Sequence, residues 1–138
     1  MFIQGTEETV QNWHAFTARR VVANEFRVAE AEMLKPSRSV AEVAFARQVA
    51  MYLAHVVYSL SYNEVAAAFG RERSTVAHAC AIVEDARDDA VFEERMAKLE
   101  ERLKKLDDVR QRGRVERGGR LATILAEAAQ VGEALKDR

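Results

Sequence analysis

Ser61 and Glu64 stand three residues apart at the head of the run Tyr62-Asn63-Glu64-Val65-Ala66-Ala67-Ala68-Phe69, and Gly70 follows it directly. A serine with a glutamate three positions on is a capping box, and glycine is the residue that ends a helix in the left-handed conformation. Both ends of a short helix are therefore written into ten residues. Immediately beyond Gly70, Arg71 to Thr75 lead into a series in which Val76, Ala79, Cys80 and Val83 recur at three- and four-residue steps. That spacing predicts a second amphipathic helix beginning at Arg73 or Ser74. Two short helices joined by a tight, glycine-containing turn make a helix-turn-helix, and this pair is the strongest constraint on the fold.

The rest of the chain agrees with an all-α class. Alanine is abundant and Pro36 is the one proline in 138 residues, which suits helices better than a sheet. The length fits one domain with appended helices. Thr6 to Leu34 carries Val10, Trp13, Phe16, Thr17, Val21, Val22, Phe26, Ala29 and Met33 at helical spacing, so one or two amphipathic helices are expected there, in an amino-terminal segment of residues 1–35. Pro36 breaks that pattern. Ser39 with Glu42 reads as an earlier capping box, opening a helix to about Tyr58 with Val43, Ala46, Val49, Ala50, Leu53, Val56 and Val57 turned inward. Phe92, Met96, Leu99, Leu103 and Leu106 then step by four and three; the run is too short for an independent coiled coil and reads as a helix packed on its own chain. Glycines 113, 118 and 119 among five arginines from Arg110 to Arg120 suggest a hinge. The last helix, with Leu121, Leu125, Ala128, Val131 and Leu135 on one side, is expected to fold back as a carboxy-terminal helical hairpin or to pair with a second chain. Residues 36–90 are thus expected to form the central domain and 91–138 the carboxy-terminal helices.

Chemistry is narrower than composition. Cys80 is the only cysteine, so neither an internal disulfide nor a cysteine-based zinc site is expected, and a reducing, cytoplasmic setting follows. There is no GxxxxGKS or GxxxxGKT to cradle nucleotide phosphates and no HExxH to hold zinc. No catalytic residue, metal, cofactor or small-molecule ligand is implied. Apolar runs are too short to cross a membrane, and the first helical segment, with 4 basic against 5 acidic residues over 1–35, lacks the basic face of a membrane-surface helix. Residues 84–108 carry 6 basic against 10 acidic side chains, and 36–83 carry 4 against 3, so any nucleic-acid contact depends on a local basic face. Glu72-Arg73-Ser74 at the start of the second helix offers donors and acceptors that suit base edges. The bland reading stays open beside it, in which Ser74 or Thr75 merely caps the helix and Arg71 and Arg73 are solvated charges.

The run ARQVAMYLAHVVYSLSYNEVAAAFGRERSTVAHACAIVED, residues 46–85, resembles the carboxy-terminal DNA-binding domain (domain IV) of the bacterial replication initiator DnaA, a helix-turn-helix of the Trp-repressor type. RERSTVAHA stands where that family carries a GRDHTTVLHA-like signature. The resemblance implies roles position by position. Glu72, Arg73 and Ser74 would read bases in the major groove, with Tyr62 and Asn63 of the preceding helix beside them; Arg47, Gln48, Thr75 and His78 would hold phosphates; Gly70 and Arg71 would support the turn. Arg38 is the nearest candidate for the family's minor-groove arginine. The chain departs from the family where Arg73 replaces the usual histidine, Glu72 the usual aspartate, and His55 and Ile82 positions that often carry lysine. One glycine before the signature is missing as well. The family's AAA+ nucleotide-binding module has no counterpart in these residues, so the expectation is a stand-alone reader of double-stranded DNA in the cytoplasm, at the nucleoid, acting in transcription or replication control, without ATPase activity. A homodimer through the carboxy-terminal helices is expected to pair two half-sites. The rival expectation is a protein adaptor that keeps the fold and binds a replication or transcription partner instead.

Overall fold

A computed structural model describes the backbone of residues 2–36 and 40–136 and the side chains of residues 10–36 and 40–113. Six helices are described: α1 (Phe2–Phe26), α2 (Glu30–Leu34), α3 (Ala41–Val56), α4 (Tyr62–Phe69), α5 (Arg73–Ala86) and α6 (Ala90–Lys136). The backbone groups into two compact units, Met1–Leu103 and Lys104–Arg138.

In the first unit α3 is the central element. Val43, Ala46, Val49, Ala50, Met51, Tyr52, Leu53 and Ala54 are all buried, so from residue 49 the helix is covered almost all round, because α1, α2, α4 and α5 all pack against it. The amino-terminal helical segment is two helices. Arg27 adopts the left-handed conformation (φ 55°) and the Val28 N–H donates to the Ala23 carbonyl at 3.0 Å, a helix-ending pattern made without glycine. The residues α1 buries are mostly small. Ala15, Ala18, Val22 and Ala23 join Thr17 and Val21 in the core, while Phe16 is 41% exposed. Alanine faces suit close packing between helices, and α1 packs extensively on α3.

Two further expectations change. α3 is capped by Val40 without a side-chain hydrogen bond and ends at Val56, which is 42% exposed; Tyr58 and Leu60 are buried beyond it. Ser39, the expected cap, lies outside the described residues. In the second unit the backbone stays helical through residues 110–120 to Lys136, so one helix replaces the expected hinge and hairpin. Each glycine costs a helix roughly 1 kcal/mol relative to alanine, which strong helix formers on either side absorb, whereas a proline there would break it. Within that unit Arg110 pairs with Asp107 on its own helix at 3.0 Å.

α6 also closes the first unit. Met96, Leu99 and Leu103 are buried, the Tyr58 hydroxyl donates to the Leu103 carbonyl at 2.8 Å, and Phe92 lies 5.6 Å from Phe45, ring centre to ring centre. The packing of this segment on its own chain is as the four-three spacing predicts.

Candidate nucleic-acid interface

The α4–α5 turn forms as its residues dictate. The Ser61 hydroxyl accepts from the Glu64 N–H at 3.1 Å and the Glu64 carboxylate accepts from the Ser61 N–H at 2.8 Å, completing the capping box. At the other end Gly70 takes φ 63° and ψ 39°, and the Arg71 N–H donates to the Ala66 carbonyl at 3.0 Å. Phe69 is fully buried just before the turn. The chain is therefore anchored on one side of Gly70 and released to the surface on the other.

Arg71 ties this turn to a distant segment. One terminal nitrogen donates to the Lys35 carbonyl at 2.6 Å, and the other reaches the Gly70 and Phe69 carbonyls at 3.3 and 3.5 Å. Arg47 on α3 donates its Nε to the Met33 carbonyl at 2.6 Å. Two guanidinium groups thus grip the carbonyls at the end of α2, where the helix dipole is negative. Arg47 is held below the usual arginine pKa, first by burial and then by the charge of Arg71.

α5 presents the polar series. Glu72 is its N-cap (φ −78°, ψ 153°), with no side-chain cap bond. Ser74 and Thr75 therefore lie inside the first turn of the helix rather than at its cap. Glu72, Arg73, Ser74, Thr75 and His78 are all exposed, while Val76, Ala79, Cys80 and Val83 are buried. At about 100° per residue, Ser74 and His78 stand opposite the buried stripe and Arg73 and Thr75 flank them. Uncapped N–H groups of the first turn add donors suited to an anion. Burial, and after it the Glu84 charge, pushes the Cys80 thiol up to about 11, so this cysteine is a packed apolar group.

The remaining predicted residues divide. Tyr62 opens α4 with its ring 4.5 Å from that of His55 and beneath the Arg73 guanidinium, whose Cζ is 5.5 Å from the ring centre. Asn63 is exposed and lines a groove of about 410 Å³ with Gln11, Asn12, Glu64, Ala67 and Ala68. Gln48 is half-buried on α3. Arg38 lies outside the described residues. Tyr62 and Arg73 are thus brought together, Arg47 and Arg71 form a second basic pair, and neither cluster has a described contact with Asn63 or Gln48.

One group supporting the site escapes sequence reasoning. The Tyr52 hydroxyl donates to Glu84 at 2.6 Å and accepts from Arg87 at 3.0 Å. Arg87 also pairs with Glu93 at 2.5 and 2.7 Å and with Glu100 at 2.7 Å. This network fastens the end of α5 to α3 and α6. Arg87 is held above its ordinary pKa chiefly by the Glu93 bond, and burial with the Glu84 bond pushes the Tyr52 phenol up to about 12. The intervals in sequence follow no single helical period, so no spacing announces the group. Among the described residues no cluster of His, Cys, Asp and Glu is placed to hold a metal, and no helix is long and apolar enough to cross a membrane.

Residues 18–83, from the middle of α1 to α5, match the family model of the bacterial dnaA protein helix-turn-helix. The chain is 44% identical over 63 residues to the chromosomal replication initiator protein DnaA 2 of Chlamydia trachomatis, covering 46% of this chain and 14% of that protein. It is 40% identical over 79 residues to the chromosomal replication initiator protein DnaA of Rhodopseudomonas palustris, covering 55% and 16%. A solved structure of the replication initiator DnaA bound to AMPPCP and single-stranded DNA superposes with a TM-score of 0.66 at 28% identity, over 76% of this chain and 32% of the other. The chain spans 14% and 16% of the length of the two curated relatives named here.

Proposed function

With residues 18–83 similar to the helix-turn-helix of bacterial DnaA, we propose that the protein binds double-stranded DNA sequence-specifically, entering the major groove with the start of α5. The observation that carries this reading is the polar edge from Glu72 to His78, exposed on a helix whose opposite stripe is buried. A surface-only helix needs no such concentration of base-capable side chains at its first turn. In this reading Glu72, Arg73 and Ser74 meet bases, with Asn63 alongside and Tyr62, the other residue of α4 expected there, next to Arg73. Arg47, Gln48, Thr75 and His78 hold the backbone, which fixes register without reading sequence. Arg38 is assigned to the minor groove.

The role is regulatory, in control of replication or transcription, and has no ATPase step of its own. The names of the relatives favour replication. A single helix-turn-helix reads a short site, and a homodimer through the carboxy-terminal part of α6 would supply a second half-site. Selection of duplexes from a random pool at low salt tests the reading. A single enriched motif is expected, with Arg73→Ala and Ser74→Ala each weakening binding to it. Enrichment of nothing overturns it and leaves a protein adaptor, for which the acidic 84–108 segment is the surface to probe.

A further inference from the structure

His55, Tyr62 and Arg73 come from three successive helices and meet in one stack. The His55 Nδ1 donates to the Leu60 carbonyl at 2.7 Å, which fixes the imidazole. The Tyr62 ring lies 4.5 Å from it, tilted by 38°, and the Arg73 guanidinium carbon lies 5.5 Å from the Tyr62 ring centre. No described hydrogen bond or ion pair involves Arg73. The cation is positioned through an aromatic face, which leaves its five N–H donors unspent. Glu72, beside it, makes no described bond to it either.

We propose that Tyr62 is a positioning residue for Arg73 rather than an independent base contact, and that Arg73, so held, reads guanine. The proposal rests on the reading of α5 as a DNA-binding helix and adds the chemistry of one position. Arginine's planar fork matches the O6 and N7 acceptors of guanine in the major groove, a two-point fit that no other base offers it there. An unrestrained arginine loses rotamer freedom when it makes that contact. A guanidinium already held against Tyr62 loses less, so the stack is worth affinity at a guanine and nothing at a base that Arg73 does not contact. His55 completes the device by limiting where the Tyr62 ring can lie.

The test uses the full chain and the best duplex from the random pool, in a version with each guanine replaced in turn by 7-deazaguanine, which lacks N7. Arg73→Ala is expected to abolish discrimination at one guanine. Tyr62→Leu is expected to weaken binding to the natural duplex by about two- to fivefold, the range of an exposed cation–π contact, and to weaken the duplex with 7-deazaguanine at that position by less, since only O6 is left to accept from Arg73. Tyr62→Phe keeps the ring and keeps the discrimination. In an Arg73→Ala background Tyr62→Leu becomes silent. A DNA-free readout checks the stack itself, since the Arg73 side-chain proton resonances are shifted by the Tyr62 ring in the unaltered protein and in Tyr62→Phe, and revert in Tyr62→Leu. Additive losses in the double variant, or no guanine lost with Arg73→Ala while duplex binding persists, overturn this proposal alone. If the unaltered chain binds no duplex, the DNA reading itself fails and this proposal fails with it.

Discussion

Replacing Gly70 with alanine tests the turn on which the α4–α5 geometry depends. Gly70 sits at φ 63°, and a Cβ built there meets nothing within 4 Å. There is no steric clash to relieve, so the whole effect is conformational. Holding an L-residue in the left-handed region costs roughly 1–2 kcal/mol. Against this, alanine restricts the unfolded chain and returns about 0.4–1 kcal/mol. The net expectation is a loss of about 1 kcal/mol, or a fall of some 3–5 °C in the melting temperature for a chain between the size classes for which that conversion is known. Asparagine tolerates the left-handed region better, so Gly70→Asn should lose less than Gly70→Ala. Differential scanning calorimetry of the three proteins decides the matter. A neutral or stabilising Gly70→Ala, or an asparagine variant weaker than the alanine one, would refute the reasoning, because both outcomes require a turn that does not need φ > 0.

Three further outcomes follow from the packing. Arg87 holds the Glu93 carboxyl below its ordinary pKa of about 4.5, chiefly through their hydrogen bond; the stabilisation is present above that value and is lost as pH falls through the lower folded one, so Glu93→Gln should flatten the acid limb of melting temperature against pH. Cys80 is raised from about 9 to about 11, so between those values the unfolded chain binds fewer protons and stability falls as pH rises; Cys80→Ala should lessen that fall in denaturant midpoints, and the native thiol should react with a disulfide reagent only on unfolding. Tyr58→Phe removes the buried bond to the Leu103 carbonyl and should cost about 0.5–1.5 kcal/mol in urea unfolding, whereas an unchanged midpoint would mean that the bond contributes nothing net.

How much of this was readable beforehand depends on where each signal sits along the chain. α4 is legible because both its ends are set by side chains within a few residues of one another, Ser61 with Glu64 and then Gly70. The buried stripe of α5 is legible because one helical period relates Val76, Ala79, Cys80 and Val83. The end of α1 carries no comparable mark: Arg27 enters the left-handed region without being glycine or asparagine, and the apolar spacing continues past it to Met33. Large apolar residues also misdirect there. Phe16 looks inward by pattern and stands at the surface, because helices packed closely on α3 favour Ala15 and Ala18.

The candidate site divides along the same line. Residues of a single helix can be grouped from sequence, since about 3.6 residues per turn fixes their relative directions. Residues of successive helices can be grouped only when the turns between them are known. Gly70 announces its turn, so Arg73 can be placed at the start of a helix leaving α4. Ser59 announces nothing, yet it too is left-handed, at φ 57°, and it is this turn that brings α4 back against α3. Without it His55 reads as a lost lysine and Tyr62 as one more aromatic near bases. With it the two become the support beneath Arg73, and the substitutions at 55 and 73, which look independent in sequence, are joined through one ring.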